Sequence, residues 1–149
     1  MEYVTENEGQ PFSYVHKVQY YETDAMQIVH HSNYIRWMEE ARLEHLGRVG
    51  LAYDKMEARG IIIPVLSASC EYKAATRYGE TVKIFLEIEK FNGLKFSVNY
   101  RITSEDESVV HATGNTSHCF LNKDMKPVNI KKAAPDIYDF FKKYKVARR

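Results

Sequence analysis

The stretch from Thr23 to Asn33 gathers the side chains best suited to chemistry: one carboxylate, Asp24, two adjacent histidines, His30 and His31, and no lysine or arginine. It leads into a segment where Tyr34, Trp37, Met38, Ala41, His45 or Leu46, and Val49 recur at helical spacing. A helix N-terminus carries roughly half a positive charge and unpaired amide donors, so it can stabilise an oxyanion. An aspartate a few residues upstream can supply a base or nucleophile to the same centre. The plain alternative is that Asp24 serves a turn, because aspartate bonds its own local backbone. Adjacent histidines point in different directions in any regular structure. No Cys, Asp or Glu stands four residues beyond either one, so a metal site is disfavoured. Tyr34, Trp37 and Met38 read as a core face and not as a cofactor box. Glu39, Glu40 and Glu44 read as a solvated face, with one of them available to a site.

A second cluster, Lys90, Asn92, Gly93 and Lys95, surrounds an expected hairpin tip. It is either an ordinary charged turn or a small phosphate-binding patch of two ammonium groups and glycine backbone. The basic end, Lys142, Lys143, Lys145, Arg148 and Arg149, reads as solvated. Glycine-rich phosphate loops, the GxSxG elbow, HExxH and CxxC are all missing, which removes several common mechanisms.

The elements that must position these residues follow from periodicity. Residues 1–13 read as an irregular lead-in, and Tyr14 to Glu22 as a strand of alternating aromatic and β-branched residues. The long helix spans residues 33–48 with Ser32 or Asn33 as N-cap, and a short one runs from Leu51 to Ala58, stopped by Gly60. Ile61 to Thr76 reads as a strand whose Pro64 suggests an edge or a bulge. Thr81–Phe91, a strand from Leu94 to about Ile102, and Val109–Asn122 complete four strands in meander, and Pro135 opens a helix reaching about Tyr144. Val82, Ile84, Leu86 and Ile88 should face inward, with Phe85 outward; Leu94, Phe96, Val98, Tyr100 and Ile102 should share one face. The class is α+β with an antiparallel sheet.

The chain has 149 residues, which fits one domain at about 100–200 residues each. Hydrophobic residues make up 44% and charged residues 28%, a globular balance. Twenty-one lysines and arginines against 20 acidic residues leave a net charge of +1, too little for a field that recruits nucleic acid. Two distant cysteines, Cys70 and Cys119, form no disulfide framework. No apolar run approaches the ~18 residues of a membrane span. The acidic, polar N-terminus lacks the features of a signal peptide. The expected location is the cytoplasm.

The run from Tyr20 through Asp24, Val29-His30-His31, Asn33-Tyr34, Trp37 and Glu39-Glu40-Ala41-Arg42 resembles the signature of hotdog-fold acyl-CoA thioesterases. It is similar to the 4-hydroxybenzoyl-CoA thioesterase branch, which includes the Tol-Pal-associated thioesterases. The resemblance implies a single hotdog domain over residues 1–149. Its curved, five-stranded antiparallel sheet would wrap a long central helix, with a helix at the C-terminus. It implies a homo-oligomer, a dimer or dimer of dimers, with the site between subunits, and hydrolysis of an acyl-CoA without cofactor, metal, nucleic acid or membrane insertion. An acyl-carrier-protein substrate and a non-catalytic acyl-thioester binding module are the alternatives. Asp24 falls on the catalytic aspartate, as nucleophile or as base for water. His31 falls where the backbone amide polarises the carbonyl, with its side chain also implicated. Gln27, Val29, His30 and Tyr34 would line the substrate, and Lys90, Asn92, Gly93 and Lys95 would meet the CoA phosphates. Glu39 or Glu40 as the main carboxylate is a minor option. One departure stands out: Gln27 occupies a place where the family usually has glycine.

Overall fold

The computed structural model describes residues 12–145. Most of the expected lead-in (residues 1–11), and Arg148 and Arg149 at the basic end, lie outside these residues. β1 (Phe12–Lys17) is followed by a 3₁₀ turn (Tyr20–Glu22), α1 (Ser32–Arg48) and α2 (Tyr53–Ala58). Then come β2 (Val65–Tyr72), β3 (Thr81–Phe91), β4 (Lys95–Ser104) and β5 (Val110–Cys119), and finally α3 (Ile130–Ala133) and α4 (Pro135–Tyr144). Among the described residues no helix is long and apolar enough to cross a membrane.

All five strands are antiparallel in one sheet of order β1-β3-β4-β5-β2. This corrects the expected meander. β1 occupies the edge of β3, from Phe12 opposite Leu86 to Lys17 opposite Thr81. β2 therefore crosses to the far side and pairs with β5, from Val65 opposite His118 to Tyr72 opposite Ala112. Its register shifts between Val65 and Ser67, just after Pro64, so the edge and the irregularity that the proline suggested both occur. The first strand is shorter than its alternation. Val18 still donates to the Glu80 carbonyl at 2.9 Å, but the chain then winds into the 3₁₀ turn because the Glu22 carboxylate takes the Gln19 amide at 2.8 Å.

The inward rows are Val82, Ile84, Leu86 and Ile88 of β3, and Phe96, Val98, Tyr100 and Ile102 of β4, all buried. Leu94, expected to join the second row, is 42% exposed because it lies in the hairpin turn before β4 begins. Phe85 faces outward, under the Arg101 guanidinium at 4.6 Å. Trp37, Met38, Ala41 and Leu46 of α1 and Ile137 and Phe141 of α4 fill the inner side. Gly114 lets α1 come close: a Cβ there would overlap the end of Met38 and lie 2.8 Å from the Ser69 carbonyl.

A polar seam crosses this core. Arg42, 4% exposed, donates to the Tyr100 hydroxyl at 2.9 Å. Tyr100 and Thr116 lie 2.7 Å apart, Thr116 and His118 Nε2 2.8 Å, and His118 Nδ1 lies 3.3 Å from the Pro64 carbonyl. A carbonyl only accepts, so Nδ1 carries the proton and Nε2 accepts from Thr116; each hydroxyl then accepts once and donates once. Protonating Nε2 would set donor against donor, near the Arg42 cation. Burial, then Arg42, lowers the His118 pKa to about 4. Burial, then Arg48, lowers that of His45, packed against Phe12, to about 4.

Both imidazoles are thus neutral in the fold, while the unfolded chain takes up protons as pH falls through ~6.5. Their contribution to stability is full above that pH and is lost progressively as pH drops from ~6.5 towards about 4. The heat-unfolding midpoint, followed by circular dichroism, should be level around neutrality and fall across that window. His118→Asn should make the fall shallower.

Candidate active site

The Thr23–Val29 segment folds back on itself as a small hairpin, with Thr23 bridged to Val29. The Asp24 amide donates to the Ile28 carbonyl, and the Gln27 amide donates to the Asp24 carbonyl, both at 2.9 Å. Gln27 then takes φ 66°. A turn followed by one left-handed residue is the usual three-residue hairpin loop, and the left-handed place favours glycine. The glycine that the resemblance leads one to expect here thus has a backbone reason, and Gln27 itself takes the left-handed geometry. Its side chain is exposed.

Asp24 serves the turn and still faces solvent. One carboxylate oxygen accepts the Met26 amide at 2.8 Å, so the turn role is real. Among the described residues, no group is paired with the other oxygen. The side chain lines a polar cavity of about 540 Å³ together with Glu22, His30, Asn33, Arg36 and Glu40. Glu40 is the helix carboxylate that turns towards this cavity; it also accepts from Tyr14 at 3.0 Å.

The far end of the loop meets the start of α1. His31 is the N-cap, with φ −56° and ψ −28°, and its own side chain makes no cap bond. The expected caps are used otherwise. Ser32 Oγ lies 2.9 Å from His30 Nδ1, and Asn33 donates its side-chain amide to the Glu22 carbonyl at 2.9 Å. The amides of Ser32, Asn33 and Tyr34 go to His30 Nδ1, the His30 carbonyl and the His31 carbonyl. The His31 amide has no acceptor among the described residues. An N–H without an acceptor among the described residues, at the positive end of a helix and beside a loop that carries a carboxylate, can polarise a carbonyl while that carboxylate acts on its carbon.

Val29 and Tyr34 lie beneath the loop, each 4% exposed. Val29 donates to the Thr76 carbonyl at 2.8 Å, and the Tyr34 hydroxyl lies 3.0 Å from the Thr76 hydroxyl. Burial pushes the Tyr34 phenol up. Tyr72, at the end of the edge strand, donates to the His31 carbonyl at 3.3 Å. Sequence reasoning passed over Thr76, Tyr72 and Glu22. Of these only Glu22 left a signal, since it shares the parity of His16.

The lysine cluster is elsewhere. Lys90, Asn92 and Lys95 line a cavity of about 680 Å³, which Lys145 joins from the end of α4. Lys145 had been read as part of a solvated end; a bridge to Ile88 brings it back. Asn92 accepts the amides of Leu94 and Lys95, and Gly93, φ 89°, leaves no room for a Cβ, which would lie 2.7 Å from Asn129 Oδ1. This cavity sits at the Phe96–His118 end of the sheet, and the Asp24 loop at the Ile102–Ala112–Tyr72 end. Six residues along a strand put them about 20 Å apart. One chain does not bring the two clusters together. A further cavity of about 530 Å³, on the outer sheet face by Phe85, Glu87 and Arg101, holds neither Asp24 nor His31.

Residues 18–142 match the model of the thioesterase-like superfamily. YneP of Bacillus subtilis is 37% identical over 131 residues, 87% of this chain and 94% of that protein. The acyl-CoA thioester hydrolase YbgC of Escherichia coli is 26% identical over 111 residues, 74% of this chain and 83% of its own. The structure of a DHNA-CoA thioesterase from Staphylococcus aureus superposes with TM-score 0.82 at 32% identity, covering 88% of each chain. The chain belongs to the thioesterase-like superfamily and is, by that membership, a thioester hydrolase. Its α+β architecture has hotdog-type neighbours.

The Gln27 geometry gives a measurable strain. Gln27→Gly should stabilise the protein by about 0.5–1 kcal/mol in denaturant unfolding, because glycine takes positive φ without steric cost. Gln27→Val should destabilise it, since a β-branched residue is least tolerated there.

Proposed function

We propose that this protein is a cytoplasmic acyl-CoA thioesterase of the 4-hydroxybenzoyl-CoA and Tol-Pal-associated branch. Residues 1–149 form a single hotdog domain, with α1 as the central helix wrapped by the sheet. The observation that carries the reading is that Asp24 shares one cavity with His30, Ser32 and Asn33, the residues that flank the unpartnered His31 amide. The thioester carbonyl accepts the His31 N–H. Asp24 attacks the carbonyl carbon, or takes a proton from the water that does, and negative charge builds on the carbonyl oxygen beside the helix N-terminus. The C–S bond then breaks and CoA leaves as a thiolate, a good enough leaving group that one carboxylate suffices. Water completes the free acid. Gln27 and His30 rim the acyl group, and Val29 and Tyr34 support the loop from below.

The phosphates of CoA fit Lys90, Lys95 and Lys145, with Asn92 and Gly93 shaping the turn between the first two. Their distance from Asp24 within one chain supports a homodimer. β2 is an open edge with Val65, Leu66 and Tyr72 each about half exposed and no lysine to block pairing. Joining two such edges about a two-fold axis sets the Tyr72 end of one chain beside the Val65 end of its partner. It thereby brings the partner's lysine cluster towards this chain's Asp24. Two such dimers can pair further.

Asp24→Asn keeps the acceptor for the Met26 amide, so it should fold within about 0.5 kcal/mol of wild type yet lose at least ~100-fold in kcat. Asp24→Ala should abolish turnover at a stability cost of about 1 kcal/mol. Thiol release from short, medium, long and aromatic acyl-CoAs, with the matching acyl-carrier-protein thioesters, measures this and ranks the substrates. Full activity in either variant refutes the assignment, and no release from any thioester by wild type would leave only a binding module.

Leu66→Lys places like charges near one another across the two-fold edge. It should shift the protein to a monomer in size-exclusion chromatography with light scattering, and activity should fall with the dimer fraction. An active wild-type monomer would contradict the shared site.

A further inference from the structure

Glu22 is 5% exposed and lies two residues before Asp24. Its carboxylate receives three donors: His16 Nε2 at 2.9 Å and the Gln19 amide at 2.8 Å on one oxygen, and the Trp37 indole N–H at 2.8 Å on the other. Its carbonyl receives two more, the His30 amide and the Asn33 side-chain amide, each at 2.9 Å. One residue thus ties β1, the 3₁₀ turn, the far end of the Asp24 loop, the first turn of α1 and the middle of α1. Burial pushes its carboxyl up, but the bonds from Gln19, His16 and Trp37 outweigh this and hold it below the usual carboxylate range.

From this convergence we infer that Glu22 is a positioning residue for hydrolysis, fixing the separation between the Asp24 carboxylate and the His31 amide. The inference rests on the reading of those two groups as the reacting pair. Asp24 follows Glu22 by two residues, and His31 follows a Glu22-bound amide by one. The loop between them is otherwise held by its own turn bonds and by the Thr76 and Tyr72 contacts beside it. A carboxylate that only filled space in the core would be replaceable by an apolar side chain of similar volume. A carboxylate that saturates three donors, from β1, the 3₁₀ turn and α1, specifies geometry instead.

Glu22→Gln tests this. The amide matches the carboxylate in shape but must turn an NH₂ towards either the Trp37 indole or the Gln19 and His16 donors. The protein should remain folded at the assay temperature, with kcat lowered by up to about 100-fold and KM changed little, as expected when reacting groups are misplaced but substrate still binds. Trp37 is the only tryptophan, so its emission reports the lost bond directly. Trp37→Phe removes one donor and leaves the carboxylate's other partners, so its kcat loss should be smaller. The double variant should lose less than the product of the two single losses. Should Glu22→Gln fail to fold, Trp37→Phe carries the same kcat-against-KM test. A folded variant with altered Trp37 emission and unchanged kcat overturns the inference. So does an activity loss that merely tracks the unfolded fraction. These results are separable from failure of the reacting-pair reading, which would appear as retained turnover in Asp24→Ala.

Discussion

The seat of α1 on the sheet depends on a missing side chain. At Gly114 the end of Met38 rests against β5 backbone, in a row that otherwise runs Cys70, Tyr100 and Leu86 across the inner face. Any Cβ there would lift the helix, and interiors packed to crystal density do not absorb such a displacement locally. With the helix at that height, Trp37 reaches Glu22 and Arg42 reaches Tyr100. The N-terminus of α1 then arrives beside the turn that carries Asp24. A close contact in the middle of the core therefore fixes the spacing of two groups at its margin.

The elements with strong local signals were legible. β3 runs from Thr81 to Phe91 and α4 from Pro135 to Tyr144 as expected, because alternation and an N-terminal proline are local properties. The place of β2 was not legible. Which edge a strand takes is a matter of long-range pairing, decided by β1 capturing β3. The N-cap of α1 was misjudged for a related reason. Ser32 and Asn33 are good caps, but His30 and the Glu22 carbonyl compete for their side chains, and Glu22 is brought near only by the 3₁₀ turn.

The candidate site is legible in its types and less so in its arrangement. Asp24 and His31 stand out as candidates because a carboxylate and a helix start lie close in sequence. The alternative that Asp24 is a turn residue was not wrong either, since one oxygen holds the Met26 amide. The lysines at 90 and 95 are adjacent in the fold as in the sequence, but Lys145 reaches them only through the docking of α4. Their distance from Asp24 is invisible until the register of β4 and β5 is known.

That distance gives the composition its meaning. A net charge of +1 provides no field to draw in a polyanionic substrate. On the proposed reading, recognition of phosphate rests on a few ammonium groups held at one sheet end, while the acyl group is handled at the other. A 149-residue chain that hollowed itself out to span both ends would sacrifice much of the core that seats α1. In the proposed dimer the open edge strand β2, which holds Val65, Leu66 and Tyr72 exposed and no lysine, avoids that conflict, because the crevice would form between two chains and neither core would be breached. On that proposal, the same exposed β2 that would be an aggregation hazard in a monomer is the surface on which the site would be completed.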